Sequence, residues 1–191
     1  MATLLKNNLT HAAIFDMDSN GHNDIVIVNR GNTGDYGFVG WFKNNGGGNI
    51  DTLVTIFDEL LNPFGLDYGD LDGDIYPDIV VGQRTPEAVI IFEYDGSGAF
   101  TYEALDNDME HATEILLADL NLDGVNEILA AESSDDKLFM WERVPWLGDV
   151  WSDQNTLFYN FNSIISGMEY TDIDGDLNED NVEAAEIIHE S

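Results

Sequence analysis

Tandem repetition, runs of β-branched residues and the lack of any sustained helical stripe predict an all-β fold: β-propeller blades of about four antiparallel strands each. Four segments carry the repetition. DMDSNGHNDI starts at residue 16, DLDGDIYPDI at 70, DLNLDGVNEI at 119 and DIDGDLNEDN at 172, so the start-to-start spacings are 54, 49 and 53 residues. Each has Asp at position 1, Asp or Asn at 3 and 5, and Asp or Glu at 9. Four recurrences at so even a spacing in a chain of 191 residues define a repeat.

The flanks repeat with the segments. Before them lie HAAIF, FGLDYG, EILLA and SGMEYT, and after the first three come IVIV, IVVG and ILAA. A second apolar run then follows in each (FVGWF, AVIIF and KLFMW), with Trp41, Phe92 and Trp141 near one place in the repeat. TLVTIF, FTYEAL and TLFYNF supply a further run per unit. Runs this short, β-branched and aromatic, with turns between them, suit strands. The glycine-rich NNGGGN at 44–49 reads as a turn, and only DNVEAAEIIHE near the end admits a short helix. The units fall at about 10–60, 61–108, 109–161 and an incomplete 162–191, with 1–9 as a candidate closing strand for a neighbouring blade. About 3.5 repeats of about 50 residues in one repeat domain leave a ring of four or more blades unfinished. The expectation is a partial propeller, or one completed by oligomerisation through its unpaired strand edges.

Charge narrows the partners. The chain has 38 Asp and Glu against 6 Lys and Arg, a formal net charge of −32. Such a surface repels a phosphate backbone and an anionic bilayer, so neither nucleic acid nor membrane insertion is expected. The acidity fits either a solvated acidic surface or cation binding, and position within the chain must decide. With no cysteine there is no disulfide, thiolate site or cysteine nucleophile. No run approaches the roughly 18 apolar residues of a membrane span. The opening MATLLKNNLT lacks the apolar stretch of a secretory leader. A mature chain or fragment is one expectation from that opening, and a cytosolic protein the other.

Alternate acidic positions over five residues set side-chain oxygens along one side of a tight turn. A carbonyl at position 7 and a carboxylate at position 9 extend that set towards the oxygen shell a hard cation takes, Ca²⁺ above all. Mg²⁺ demands stricter octahedral geometry, and softer metals want His or Cys. The bland alternative is an acidic turn that hydrogen-bonds its own backbone. Helix–loop–helix calcium sites need an acidic residue at position 12 and a helix beyond it. Here position 12 is Ile27, Val81 and Ala130 in strand-like runs, and only the fourth copy, with Glu183, admits that variant.

The pattern D-x-D-x-[DN]-G-x-x-D-[IL], then a strand and WF-x-N-x-G, resembles the FG-GAP or VCBS repeats that form integrin-type propeller blades. DMDSNGHNDIVIV followed by VGWFKNNGGG carries the likeness most closely, and it extends from about residue 10 to 188. In that family the loop between a blade's first two strands binds Ca²⁺, which implies up to four ions here. The resemblance implies Asp16, Asp18, Asn20, Asp24 and the His22 carbonyl at the first site. At the second it implies Asp70, Asp72, Asp74, Asp78 and the Tyr76 carbonyl. The third would take Asp119, Asn121, Asp123, Glu127 and the Val125 carbonyl. The fourth would take Asp172, Asp174, Asp176, Asp180 and the Asn178 carbonyl. Glycine stands at position 6 in copies one and three (Gly21, Gly124) but at position 4 in two and four (Gly73, Gly175), so two differently shaped turns are expected. The fourth copy also has Asn181 where an apolar residue should open the strand.

Cytosol, where Ca²⁺ is scarce, would leave such sites unfilled, so an extracellular or cell-surface home is expected. The function expected is that of a Ca²⁺-stabilised structural, adhesion or ligand-binding module, with a glycan or a protein as partner. The alternative is a polysaccharide lyase or related carbohydrate-active enzyme on the same repeats. It needs a base, and His11, His22, His111 and His189 share no repeat position, so an enzyme is not expected. Trp41 and Trp141 read as core residues. Trp146 and Trp151, in the insertion VPWLGDVWSD, are the candidates for stacking on a sugar.

Overall fold

The computed structural model describes residues 8–47, 50–84, 88–105, 109, 111–132, 137–144, 150–153, 155–159, 165–171 and 181–186. Among these there is no helix, and so none long and apolar enough to cross a membrane. The first sheet runs in chain order through β1 (Leu9–Phe15), β2 (Asp24–Asn29), β3 (Gly37–Phe42) and β4 (Val54–Leu60). The second does the same with β5 (Pro63–Gly69), β6 (Asp78–Gln83), β7 (Ala88–Tyr94) and β8 (Phe100–Ala104). The third joins β9 (Ala112–Ala118), β10 (Glu127–Glu132), β11 (Lys137–Trp141) and β14 (Asn155–Tyr159). A small hairpin, β12 (Arg143–Val144) with β13 (Val150–Trp151), is inserted between the last two. A final antiparallel pair, β15 (Ile165–Thr171) and β16 (Asn181–Glu186), begins a fourth sheet. Every pairing is antiparallel, and each acidic loop joins the first two strands of its sheet.

The first strands touch in succession, β1 on β5, β5 on β9 and β9 on β15. The sheets therefore stack face to face around one side, as propeller blades do, without closing into a barrel. Residues fill the spaces between blades from both sides. Val26, Val28, Val39 and Trp41 of the first blade meet Ile79, Val81, Ile90 and Phe92 of the second. Val80, Val89 and Ile91 of the second meet Ile128, Ala130, Phe139 and Trp141 of the third. Every residue of β6 and β10 is buried, which is why those strands read as unbroken apolar runs rather than alternating ones. Each large apolar side chain buried this way contributes about 1.5–3 kcal/mol.

Two expectations change here. Trp41 pairs with Val26, two residues after the first loop's position 9, whereas Trp141 pairs with Ile128, one residue after the third loop's. Adjacent registers point to opposite faces. Both tryptophans are core residues, but Trp41 packs towards the next blade and Trp141 towards the previous one. The true counterpart of Trp141 is Phe92, opposite Ile79. Secondly, 181–186 is a strand, with Glu183 opposite Glu169, so the helix required by a helix–loop–helix reading of the fourth copy is absent. Asn181 opens that strand, opposite Thr171. Residues 1–7, which include most of the candidate closing strand, lie outside the described residues, and so does Trp146.

Candidate metal centre

The three described loops are built alike, and the sequence explains how. Position 2 is apolar in each (Met17, Leu71, Leu120), and the first two side chains are fully buried between blades. That plug draws the loop down onto the sheet ends. The position-9 carboxylate then closes the loop from below: Asp24, Asp78 and Glu127 are all but inaccessible. The amide of position 2 donates to it in every copy, Met17 to Asp24 at 3.1 Å, Leu71 to Asp78 at 2.9 Å and Leu120 to Glu127 at 2.7 Å. In the first two blades its second oxygen accepts from an amide at the end of the third strand, that of Asn44, two residues past β3, at 2.6 Å and that of Tyr94, the last residue of β7, at 2.9 Å. Position 9 is thus a latch between loop and sheet as well as a candidate ligand.

Position 1 shapes the turn. One oxygen of Asp16, Asp70 or Asp119 accepts from the amide of position 6, at 2.7, 3.0 and 2.8 Å. Position 5 accepts from the amide of position 7: His22 to Asn20 at 2.9 Å, Tyr76 to Asp74 at 2.8 Å and Val125 to Asp123 at 2.9 Å. The shared bonds force a shared backbone. Positions 4 and 6 both have positive φ in all three copies: Ser19 and Gly21 at 55° and 87°, Gly73 and Ile75 at 82° and 78°, Leu122 and Gly124 at 59° and 90°. The second turn therefore shares the φ pattern of the others, contrary to expectation, with its glycine relieving position 4 instead of position 6. It differs in that Asp70 Oδ1 accepts from position 4 (Gly73, 2.7 Å) where Asp16 and Asp119 accept from position 5. Ile75 bears the cost, since a β-branched residue in this region is strained.

Position 7 explains the glycine of the WF-x-N-x-G stretch. The His22 ring lies over Gly46 and the Tyr76 ring over Gly96, so closely that a β-carbon on either glycine would overlap the ring.

Two of the loops gather three carboxylates around one point. Oxygens of Asp16, Asp18 and Asp24 lie within 4.8 Å of one another, as do those of Asp70, Asp72 and Asp78. Two oxygens on one Ca²⁺ at 2.3–2.6 Å are separated by no more than about 5 Å, so either cluster admits a single ion. The third loop holds Asp119, Asn121, Asp123 and Glu127 in the same bonding pattern, with Asn121 donating to Glu127 at 2.9 Å, but without a three-carboxylate cluster. Asp172, Asp174, Asp176, Asn178 and Asp180 lie outside the described residues.

The residues fit a hard divalent cation. Their donors are all oxygen. The Asp18 side chain is only 8% exposed, and among the described residues its Oδ1 faces no hydrogen-bond donor, a costly arrangement for a buried carboxylate oxygen. Burial pushes the Asp78 carboxyl up to about 7, against the bonds from Tyr94 and Leu71. It also raises Asp72, helped by Asp74, Glu93 and Asp70, and Glu127. A divalent ion would offset both the burial and the neighbouring like charges behind those shifts.

Sequence reasoning missed four contributors at or just past the end of the third strand. Lys43 pairs with Asp18, Asn44 and Tyr94 lend their amides, and Glu93 stands where Lys43 does, directly after Phe92 as Lys43 follows Phe42. Aligning the strand ends on their pairing partners in β2 and β6 would have revealed them.

The five described cations all lie over aromatic rings: Arg30 and Arg84 over Phe64, Lys43 over Trp41, Lys137 over Phe139 and Arg143 over Trp151. Arg143 also ties the second and third blades, donating to the Leu71 carbonyl at 3.0 Å and to Glu93 at 3.2 Å. Trp151, one of the two candidate sugar platforms, therefore has a guanidinium near its ring.

Compared with known families, the chain matches the FG-GAP-like repeat over residues 16–81 and again over 70–130. Each match opens at position 1 of an acidic loop and ends in the second strand of the next blade, so the family's unit is staggered against the blade. Together they take in the three described loops. No curated protein matches the chain.

Proposed function

The chain belongs to the FG-GAP-like repeat family, and from that premise we propose that it is a Ca²⁺-stabilised extracellular propeller module that works by binding a glycan or protein ligand. One observation carries the reading. Two loops in successive blades converge three carboxylates each on a point of single-ion size, and one of the six has a buried oxygen without a donor. Lys43 reaches one of the six carboxylates, Asp18, and a bound ion would neutralise charge that remains. It would also fix loops whose amides are already committed to carboxylates, holding one rim of the blades rigid. Rigid, repeated loops on one rim suit recognition, and millimolar Ca²⁺ outside cells suits sites of this kind.

Calorimetric titration of the whole chain with Ca²⁺ tests the metal part. Saturable binding that falls by one class of site in Asp16→Asn and by another in Asp70→Asn is expected; a flat titration refutes it. A glycan and protein array read in Ca²⁺ and again in EGTA tests the ligand part, which fails if nothing binds or if chelation changes nothing.

A further inference from the structure

We propose that Lys43 is a built-in competitor for the first ion site: its ammonium holds Asp18 when no divalent ion is bound and makes this site weaker than the second. The inference rests on the ion-binding reading above. Lys43 and Asp18 are ion-paired through Oδ2, leaving Oδ1 of that buried carboxylate bare. The lysine is held for this position. Its ammonium lies 5.5 Å from the centre of the Trp41 ring, and that ring is itself packed edge-on against Tyr94 of the next blade. Here the ammonium meets Oδ2 and leaves Oδ1 unsatisfied, whereas a divalent ion takes several oxygens at once.

The repeat supplies an internal comparison. Lys43, Glu93 and Glu142 all follow the third-strand residue that pairs one step beyond position 9: Phe42 opposite Ile25, Phe92 opposite Ile79, Trp141 opposite Ile128. Only the first is a cation. At the second site the same position brings a carboxylate, which acts on Asp72 as a like charge and is held by Arg143 from the third blade. The first site thus has its positive charge placed on one of the three clustered carboxylates, whereas at the second the cation, Arg143, pairs with Glu93, outside the cluster of three. An ion entering the first must displace Lys43 or bind beside it, and at close range the opposing charge costs on the order of tenfold in affinity.

Calcium calorimetry on the full chain separates the possibilities, with Asp18→Asn and Asp72→Asn marking which binding class belongs to which loop. Lys43→Met keeps the stem over Trp41 and removes the charge, and Lys43→Arg keeps the charge; Lys43→Gln guards against misfolding of the first, with circular dichroism checking each. The expected result is a weaker Asp18-dependent class in the natural sequence. That class tightens about tenfold or more in Lys43→Met and Lys43→Gln, stays weak in Lys43→Arg, and the Asp72-dependent class does not move. If Asp72-dependent binding is present but the Asp18-dependent class keeps its affinity in Lys43→Met and Lys43→Gln, this inference fails alone. If neither loop binds Ca²⁺ in any variant, the ion-binding reading fails and this inference with it.

Discussion

Ile75 is the residue on which the loop geometry is most exposed to test. It has φ of 78°, and its side chain is 74% exposed, so almost no burial is lost when it is removed. A non-glycine residue in left-handed backbone costs about 1–2 kcal/mol, and a β-branched one sits at the upper end. Glycine at the same place gives back about 0.5–1 kcal/mol through the greater freedom of its unfolded chain. Ile75→Gly should therefore stabilise the protein by about 0.5–1 kcal/mol, or about 1–4 °C in melting midpoint for a chain of this size. Gly73→Ala, two residues earlier at φ of 82°, should destabilise by about 1–2 kcal/mol. A β-carbon there meets nothing within 4 Å, so the backbone alone is responsible. Urea unfolding at saturating Ca²⁺ measures both. Loss of stability in Ile75→Gly, or indifference to Gly73→Ala, would refute the claim that all three turns share one φ pattern.

Two further outcomes follow from the same geometry. Asp78→Asn retains one acceptor where two amides need one each, so it should cost about 1–3 kcal/mol in chelator as well as in Ca²⁺, which unfolding in EGTA detects; a variant destabilised only in Ca²⁺ would mean position 9 is a ligand and not a latch. Glu114, on β9, is held by burial at about 7 rather than 4.5, so its contribution is complete below about pH 4.5 and is lost as the pH rises through 7. Glu114→Gln should remove about 1 kcal/mol of the stability lost between pH 5 and 8, a figure reduced for partial exposure, and parallel stability–pH curves for the two proteins would count against it.

Much of this molecule is written in its repeats. The strands β1 to β11 follow from β-branched runs set at fixed distances from each Asp-rich segment, and the clustering of Asp16, Asp18 and Asp24 follows from alternate spacing. What escaped has physical reasons. Trp41 and Trp141 were misaligned because strands buried on both faces carry no alternation to fix register. The second turn's shape is hidden in the sequence because a glycine marks only one of the turn's two left-handed positions, and the other tolerates Ser19, Ile75 or Leu122. Lys43 lies 25 residues beyond Asp18 and reaches it only through the pairing of β2 with β3. The strand at 181–186 escaped because AAEII suits either periodicity until β15 offers it a partner.

Melting the intact chain in millimolar Ca²⁺ and again after EGTA bears most directly on the claim that divalent ions offset the crowded carboxylates. Sites with Kd near ~100 µM in ~1–10 mM Ca²⁺ would each add about 1.4–2.7 kcal/mol. With the first cluster about tenfold weaker because of Lys43, and so adding about 0.4–1.4 kcal/mol, the two together should raise the midpoint by roughly 4–16 °C, with Mg²⁺ substituting poorly. A midpoint that does not move between the two conditions would contradict the account.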